Sequence, residues 1–151
     1  MNTENNTPDL TQRPPRSARV RLGGYAMLPR VLDKARASLA AQAGEYKYGN
    51  PMDQHFFRFT GISQDALLEK VKTGAGDWEI LQWIQEQSNP QRASYEIRSW
   101  SAHLETAPVG DGEDLEWFAE QVNRLNPQRT DLSSIIDYLD VDDFVSFGGT
   151  A

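Results

Sequence analysis

The chain contains no cysteine. That absence excludes disulfides, thiolate zinc sites, iron–sulfur clusters and a cysteine nucleophile, and it suits a reducing cytoplasm. Histidine is scarce too: only two occur, His55 and His103, far apart and without an H-E-x-x-H stretch, so no metal site is expected. The phosphate loop G-x-x-x-x-G-K-[ST], the dinucleotide fingerprint G-x-G-x-x-G and the G-x-S-x-G nucleophile elbow are missing, and no cofactor is expected. No stretch approaches the roughly 18 apolar residues of a membrane helix. Met1–Arg16 is polar and proline-containing, with no apolar run like that of an export leader. The expectation is a cytoplasmic protein without membrane contact.

The 151 residues suit one domain, and 38% hydrophobic content with 4 Trp, 5 Tyr and 6 Phe supplies one core. Charge is unevenly placed. Residues 1–60 hold nine Lys/Arg against five Asp/Glu, or +4; residues 61–151 hold six against seventeen, or −11; together they give the formal −7. The simplest consequence is that the two halves neutralise one another across their contact. A groove-reading helix pair from residues 61–107 carries the wrong sign for a phosphate backbone, so no nucleic-acid partner is expected.

Periodicity predicts an all-α fold, a single domain of six or seven helices with an extended N-terminal arm. Residues 1–15 read as a flexible arm, 16–147 as the helical domain and 148–151 as a flexible tail. Ser17–Leu22 alternates Ala18, Val20 and Leu22 with Arg19 and Arg21, an extended pattern that Gly23-Gly24 turns. Helix 28–43 carries the stripe Leu28, Val31, Leu32, Ala35, Leu39 and Ala43, with Gly44 as its stop. Phe56, Phe57 and Phe59 cannot all face one way, so their segment is sandwiched. Ser63, Asp77, Asn89-Pro90, Asp111 and Thr130-Asp131 mark five further helix starts. In the helix after Asp111, Leu115, Phe118, Ala119 and Val122 face inward.

The acidic run Asp137, Asp140, Asp142, Asp143 lacks calcium-loop spacing, because Phe144 stands at the third ligand position, and it reads as solvated surface. The region richest in candidate chemistry is Arg19–Asp53: Arg19, Arg21, Tyr25, Asp33, Arg36, Tyr46, Tyr48 and Asp53. Asp33 and Arg36 are three apart and so neighbours on a helix surface. A guanidinium there can hold an ion pair or a bound anion. The default reading is a polar network pinning the N-terminal arm; the sharper one is a ligand site. Trp117 stands about 160° from the apolar face of its helix. It is either a partner surface or a residue covered by the tail with Phe144 and Phe147.

The stretches RSARVRLGGYAMLPRVLDKARASLA, GEYKYGNPMD, FFRFTGI, EIRSWS, WFAEQVNRL and TDLSSIIDYLDVDDFVSF, running from about Asp9 to Phe147, resemble the bacterial DUF5069 family. The resemblance implies no reaction or cofactor. It covers Arg16, Arg19, Gly23, Gly24, Tyr25, Asp33, Lys34, Arg36, Gly44, Glu45, Tyr46, Tyr48 and Asp53. The chain departs from the family pattern at Lys47 (usually His), Asn50 (often Cys) and Tyr138 (usually Trp).

Two functional readings follow. The first is a non-catalytic binding or interaction domain, with a protein partner at a surface that includes Trp117. The second is a metal-independent enzyme or small-anion binder, in which Arg21 or Arg36 holds the anion and Asp33, Asp53 or a Tyr moves the proton.

Overall fold

The computed structural model describes residues 7–110 and 112–151. Among them are seven helices and one two-stranded hairpin, as the all-α reading expects. The hairpin pairs β1 (Arg21–Leu22) with β2 (Tyr25–Ala26), Leu22 opposite Tyr25. Gly23 and Gly24 form its two-residue loop with φ of 58° and 85°, the double left-handed turn that matches strand twist and that only glycine adopts cheaply. A turn closed by the Val20 N–H on the Ser17 carbonyl breaks the expected alternation, and Val20 faces solvent instead of the core.

Helix α1 (Leu28–Leu39) forms the axis of the molecule, with every residue from Leu28 to Ala37 buried. A helix buried on all sides is normally apolar all round. This one carries Arg30, Asp33, Lys34 and Arg36 inside. It stops four residues short of the expected Ala43. Ala41 takes a left-handed φ of 55°, the Gln42 N–H reaches the Ala37 carbonyl and the Ala41 N–H the Ser38 carbonyl, a Schellman stop made without glycine.

The early stop frees the Gln42 carbonyl to accept from the Leu10 N–H at 2.9 Å. Leu10 is 1% exposed, and Pro8 and Pro15 are buried beside it, so residues 7–15 lie on the body rather than forming a free arm. One apolar anchor between turn-forming residues is invisible to composition. Residues 1–6 fall outside the described residues. In the tail, the Ala151 carbonyl accepts from the Asn126 side chain, and the Gly149 N–H donates to the Phe144 carbonyl.

Helices α2 (Pro51–Thr60), α3 (Gln64–Lys72), α4 (Asp77–Gln87) and α5 (Ser94–Thr106) pack around α1 and the hairpin. Asn50 and Ser63 cap α2 and α3. The segment 56–59 is sandwiched: Phe56 and Phe57 are buried, while Phe59 stacks on Trp100 at 4.7 Å between ring centres. Ser101 of α5 accepts from the Ala26 N–H and donates to the Gly24 carbonyl, so α5 satisfies the hairpin's free backbone.

Asn89-Pro90, expected to open α5, is instead a cis-peptide connection. The Asn89 N–H bonds the Thr60 carbonyl and Arg92 bonds the Phe59 carbonyl, which holds residues 89–92 against the end of α2. The expected cap Asp77 is the first residue of α4; Gly76 precedes it as the cap, and the Asp77 carboxylate is used elsewhere. Helix α6 (Glu113–Leu125) packs on α7 (Ile135–Ser146). The expected start of α6, Asp111, lies outside the described residues. The start of α7 is set by Ser134 and Asp137 in a reciprocal cap rather than by Thr130-Asp131. Of the expected inward face of α6, Phe118 and Val122 are buried whereas Leu115 and Ala119 are exposed; α6 packs chiefly against α7.

Candidate functional site

The four charged side chains buried on α1 each find a partner outside it. Lys34 Nζ lies 2.8 Å from Asp53 Oδ1 with both side chains sealed, and Asp53 also accepts from the Gly49 N–H. Burial pushes the Lys34 ammonium down, and Asp53 pulls it partly back. Arg30 forks onto Asp143 at 2.7 and 3.2 Å. Tyr46 donates to the same carboxylate at 2.8 Å, its ring 5.5 Å from the Arg30 guanidinium carbon. Burial, then Asp143, push the Tyr46 phenol well above its ordinary range.

Asp33 and Arg36, expected to pair with each other, do not. Three residues apart is a necessary condition for a helical ion pair, and longer-range partners win here. Asp33 accepts from the Arg16 backbone N–H and from Arg16 Nε and Nη2 at 2.9–3.1 Å. Arg36 donates to Asp77 at 2.8 Å and to the Ala75 carbonyl at 3.3 Å. Arg16 also bonds Asp77 at 2.7 Å, so the charges alternate Asp33, Arg16, Asp77, Arg36. Burial alone would raise the Asp77 carboxyl, but the Arg16 and Arg36 bonds outweigh it and hold it below its ordinary value. Arg13 joins this group at the rim of a pocket of about 340 Å³.

The remaining candidates disperse. Arg19 binds Asp140 at 2.9 Å and also Asp137. Arg21 forks onto Glu105 with two bonds of 3.0 Å. Tyr48 donates to the Gln64 carbonyl at 2.6 Å; burial, then the charges of Asp53 and Asp65, push its phenol up. Tyr25 sits in the core, edge-on to Phe56 and Trp100. The acidic run is therefore not a solvated surface: Asp143 is buried, while Asp137 and Asp140 hold Arg19. Arg16, Arg30, Lys34 and Asp77 complete the network. No local pattern marks them, since most of their partners stand 17 to 113 positions away.

Trp117 is 47% exposed and meets the edge of Tyr138 at 5.8 Å, so the aromatic against it comes from α7 and not from the tail. Phe144 is 61% exposed and Leu115 49%. No helix among the described residues is long and apolar enough to cross a membrane.

A family model described as a domain of unknown function, DUF5069, matches residues 12–145. None of the curated proteins matches the chain.

Proposed function

Because the chain belongs to the DUF5069 family, whose function is unknown, no reaction is inherited, and we propose that it is a non-catalytic binding domain whose N-terminal polar cluster fastens the fold. One observation carries this reading. All eight candidates have a hydrogen-bond or ion-pair partner within the protein, and those partners belong to separate groups rather than to one cleft. The phenols of Tyr46 and Tyr48 are pushed away from neutrality, and Asp77 is held ionised, which is the reverse of what a general base or acid near pH 7 needs. Lys34 shifts the other way but is 2% exposed, out of reach of a substrate. The surface offered to a protein partner is the half-exposed Trp117, Leu115 and Phe144 of α6 and α7.

The second reading, an anion binder in the Arg/Asp cluster, is favoured by the pocket under Arg13, where three guanidinium groups face two carboxylates. A thermal-shift screen against metabolites, nucleotides, anions and divalent metals separates the two. A ligand at a hundred times its dissociation constant adds about 2.7 kcal/mol, a shift of several degrees. The fastening account predicts that Arg36→Ala melts lower and keeps every hit of the parent protein. A hit lost in a still-folded Arg36→Ala protein contradicts it. Photocrosslinking from position 117 in cells tests the partner surface: a discrete adduct supports it, and none counts against it.

A further inference from the structure

A different pocket, of about 280 Å³, lies between the hairpin, the end of α4 and the start of α5, and is lined by Tyr25, Gln85, Ser88, Gln91, Arg92 and Ser94 together with Gly23 and Ile97. No carboxylate lines it, in contrast to the pocket under Arg13. Among the described residues Arg92 forms no ion pair, whereas every arginine from Arg16 to Arg36 does. Arg92 is nevertheless fixed: its guanidinium lies 4.5 Å over the Phe59 ring, and Nε and Nη2 hold the Phe59 carbonyl at 3.3 and 3.2 Å. Nη1 is left with no acceptor among the described residues.

Two of the other polar groups fit the same pattern. The Ser94 hydroxyl and the Gln85 amide make no hydrogen bond among the described residues, while Gln91 spends its amide on the Ser88 carbonyl at 2.7 Å. Tyr25 is 1% exposed; burial raises its phenol against a hydrogen bond to Ser88 and the charge of Arg92, so its proton is spent on the Ser88 oxygen. The Ser88 hydroxyl proton is committed to the Ile84 carbonyl at 2.6 Å. Glu96, the acid in the first turn of α5, is tied to the Ala93 N–H at 2.8 Å and does not line the cavity. A pocket with open donors on Arg92, Ser94 and Gln85, one of them an oriented guanidinium, and with no acid matches a ligand made of acceptors with negative charge.

We infer that this pocket, with Arg92 as its charged anchor and Ser94 and Gln85 as donors, binds a phosphate group, as inorganic phosphate or at the end of a small phosphomonoester. The inference rests on the non-catalytic binding reading and is independent of the surface on α6. The cavity has room for a phosphate with a short organic tail but not for a nucleotide chain.

The test is calorimetric titration with inorganic phosphate, and separately with para-nitrophenyl phosphate, at constant ionic strength set by chloride. The proteins are the full chain, Arg92→Met, Ser94→Ala and, as an exposed arginine that does not line the pocket, Arg58→Ala. Binding by the full chain and by Arg58→Ala is expected, with a loss of about tenfold or more in Arg92→Met. Ser94→Ala, which removes no hydrogen bond of the fold, is expected to weaken binding several-fold, and it keeps the test decisive if Arg92→Met does not fold. Absence of binding overturns the inference, and so does binding that Ser94→Ala and a folded Arg92→Met leave unchanged. Binding of the ester alone means that the organic tail is required; binding of both means that the phosphate suffices; either supports the site. Release of nitrophenolate that Ser94→Ala or Arg92→Met slows leaves the site standing and overturns the non-catalytic reading.

Discussion

Arg30 in the first turn of α1 and Asp143 near the end of α7 meet at 2.7 Å, although 113 positions separate them in the chain. Both side chains are almost wholly buried, at 5% and 9% exposure. Ile136 is the one fully buried apolar side chain of α7. The helix is therefore docked largely by charge: Asp143 on Arg30 and Tyr46, Asp140 on Arg19 and Ser17, Asp137 on Arg19. Since α6 packs on α7, the acidic end of the chain is tied to the basic end through these contacts. The +4 and −11 halves meet here.

Removing one member of a sealed pair leaves an uncompensated charge. Lys34→Met strands Asp53 in an environment with no solvent contact. Urea unfolding is expected to show a loss of about 3–5 kcal/mol. A loss under about 1 kcal/mol would mean that water reaches the pair.

Acid is expected to loosen the network in a definite window. Asp77 and Asp137 are lowered from an ordinary 3.8: burial alone would raise both, but it is outweighed by the Arg16 and Arg36 bonds at Asp77 and by the Ser133 and Ser134 N–H groups at Asp137. A carboxyl lowered on folding contributes stability that is present above its unfolded value and is lost as pH falls through the folded one. Asp142 has the opposite sign, raised by burial and then by Asp143, so its contribution is gained as pH falls. Melting temperature should drop on going below about pH 4. Asp77→Asn should flatten that limb and Asp142→Asn should steepen it. At pH 7, Asp77→Asn should cost about 1–3 kcal/mol, because it leaves the buried Arg36 without its anion.

Gly61 ends α2 at a left-handed φ of 72°, and a Cβ there would collide with the Asn89 carbonyl oxygen. That oxygen belongs to backbone pinned by the Asn89–Thr60 hydrogen bond and cannot give way cheaply. Gly61→Ala is expected to destabilise by more than about 1 kcal/mol in urea unfolding. An unchanged midpoint would show that the 89–92 connection shifts freely.

The hairpin turn, the helix count and the sandwiched phenylalanines were legible because each depends on residues within one or two turns of each other. The Gly23-Gly24 pair and the stripe from Leu28 to Ala35 are local signals. The wiring of the polar cluster was not legible. Asp33 and Arg36 look like partners at their spacing, yet Arg16 and Asp77 take them, and nothing near Arg30 in sequence points to Asp143. The acidic run looked like open surface for the same reason: its cations lie over a hundred residues earlier. What could be read was the charge imbalance between the halves, which requires such pairing without saying which residues provide it.

The most direct test of the fastening account is a double-mutant cycle on Arg30 and Asp143, read by urea unfolding. Arg30→Met and Asp143→Leu are each expected to cost about 3–5 kcal/mol, and the double variant to recover most of that loss, because apolar side chains replace a buried pair at little net cost. Additive losses, or single variants as stable as the parent, would contradict the account and return Arg30, Tyr46 and Asp143 to consideration as a ligand site.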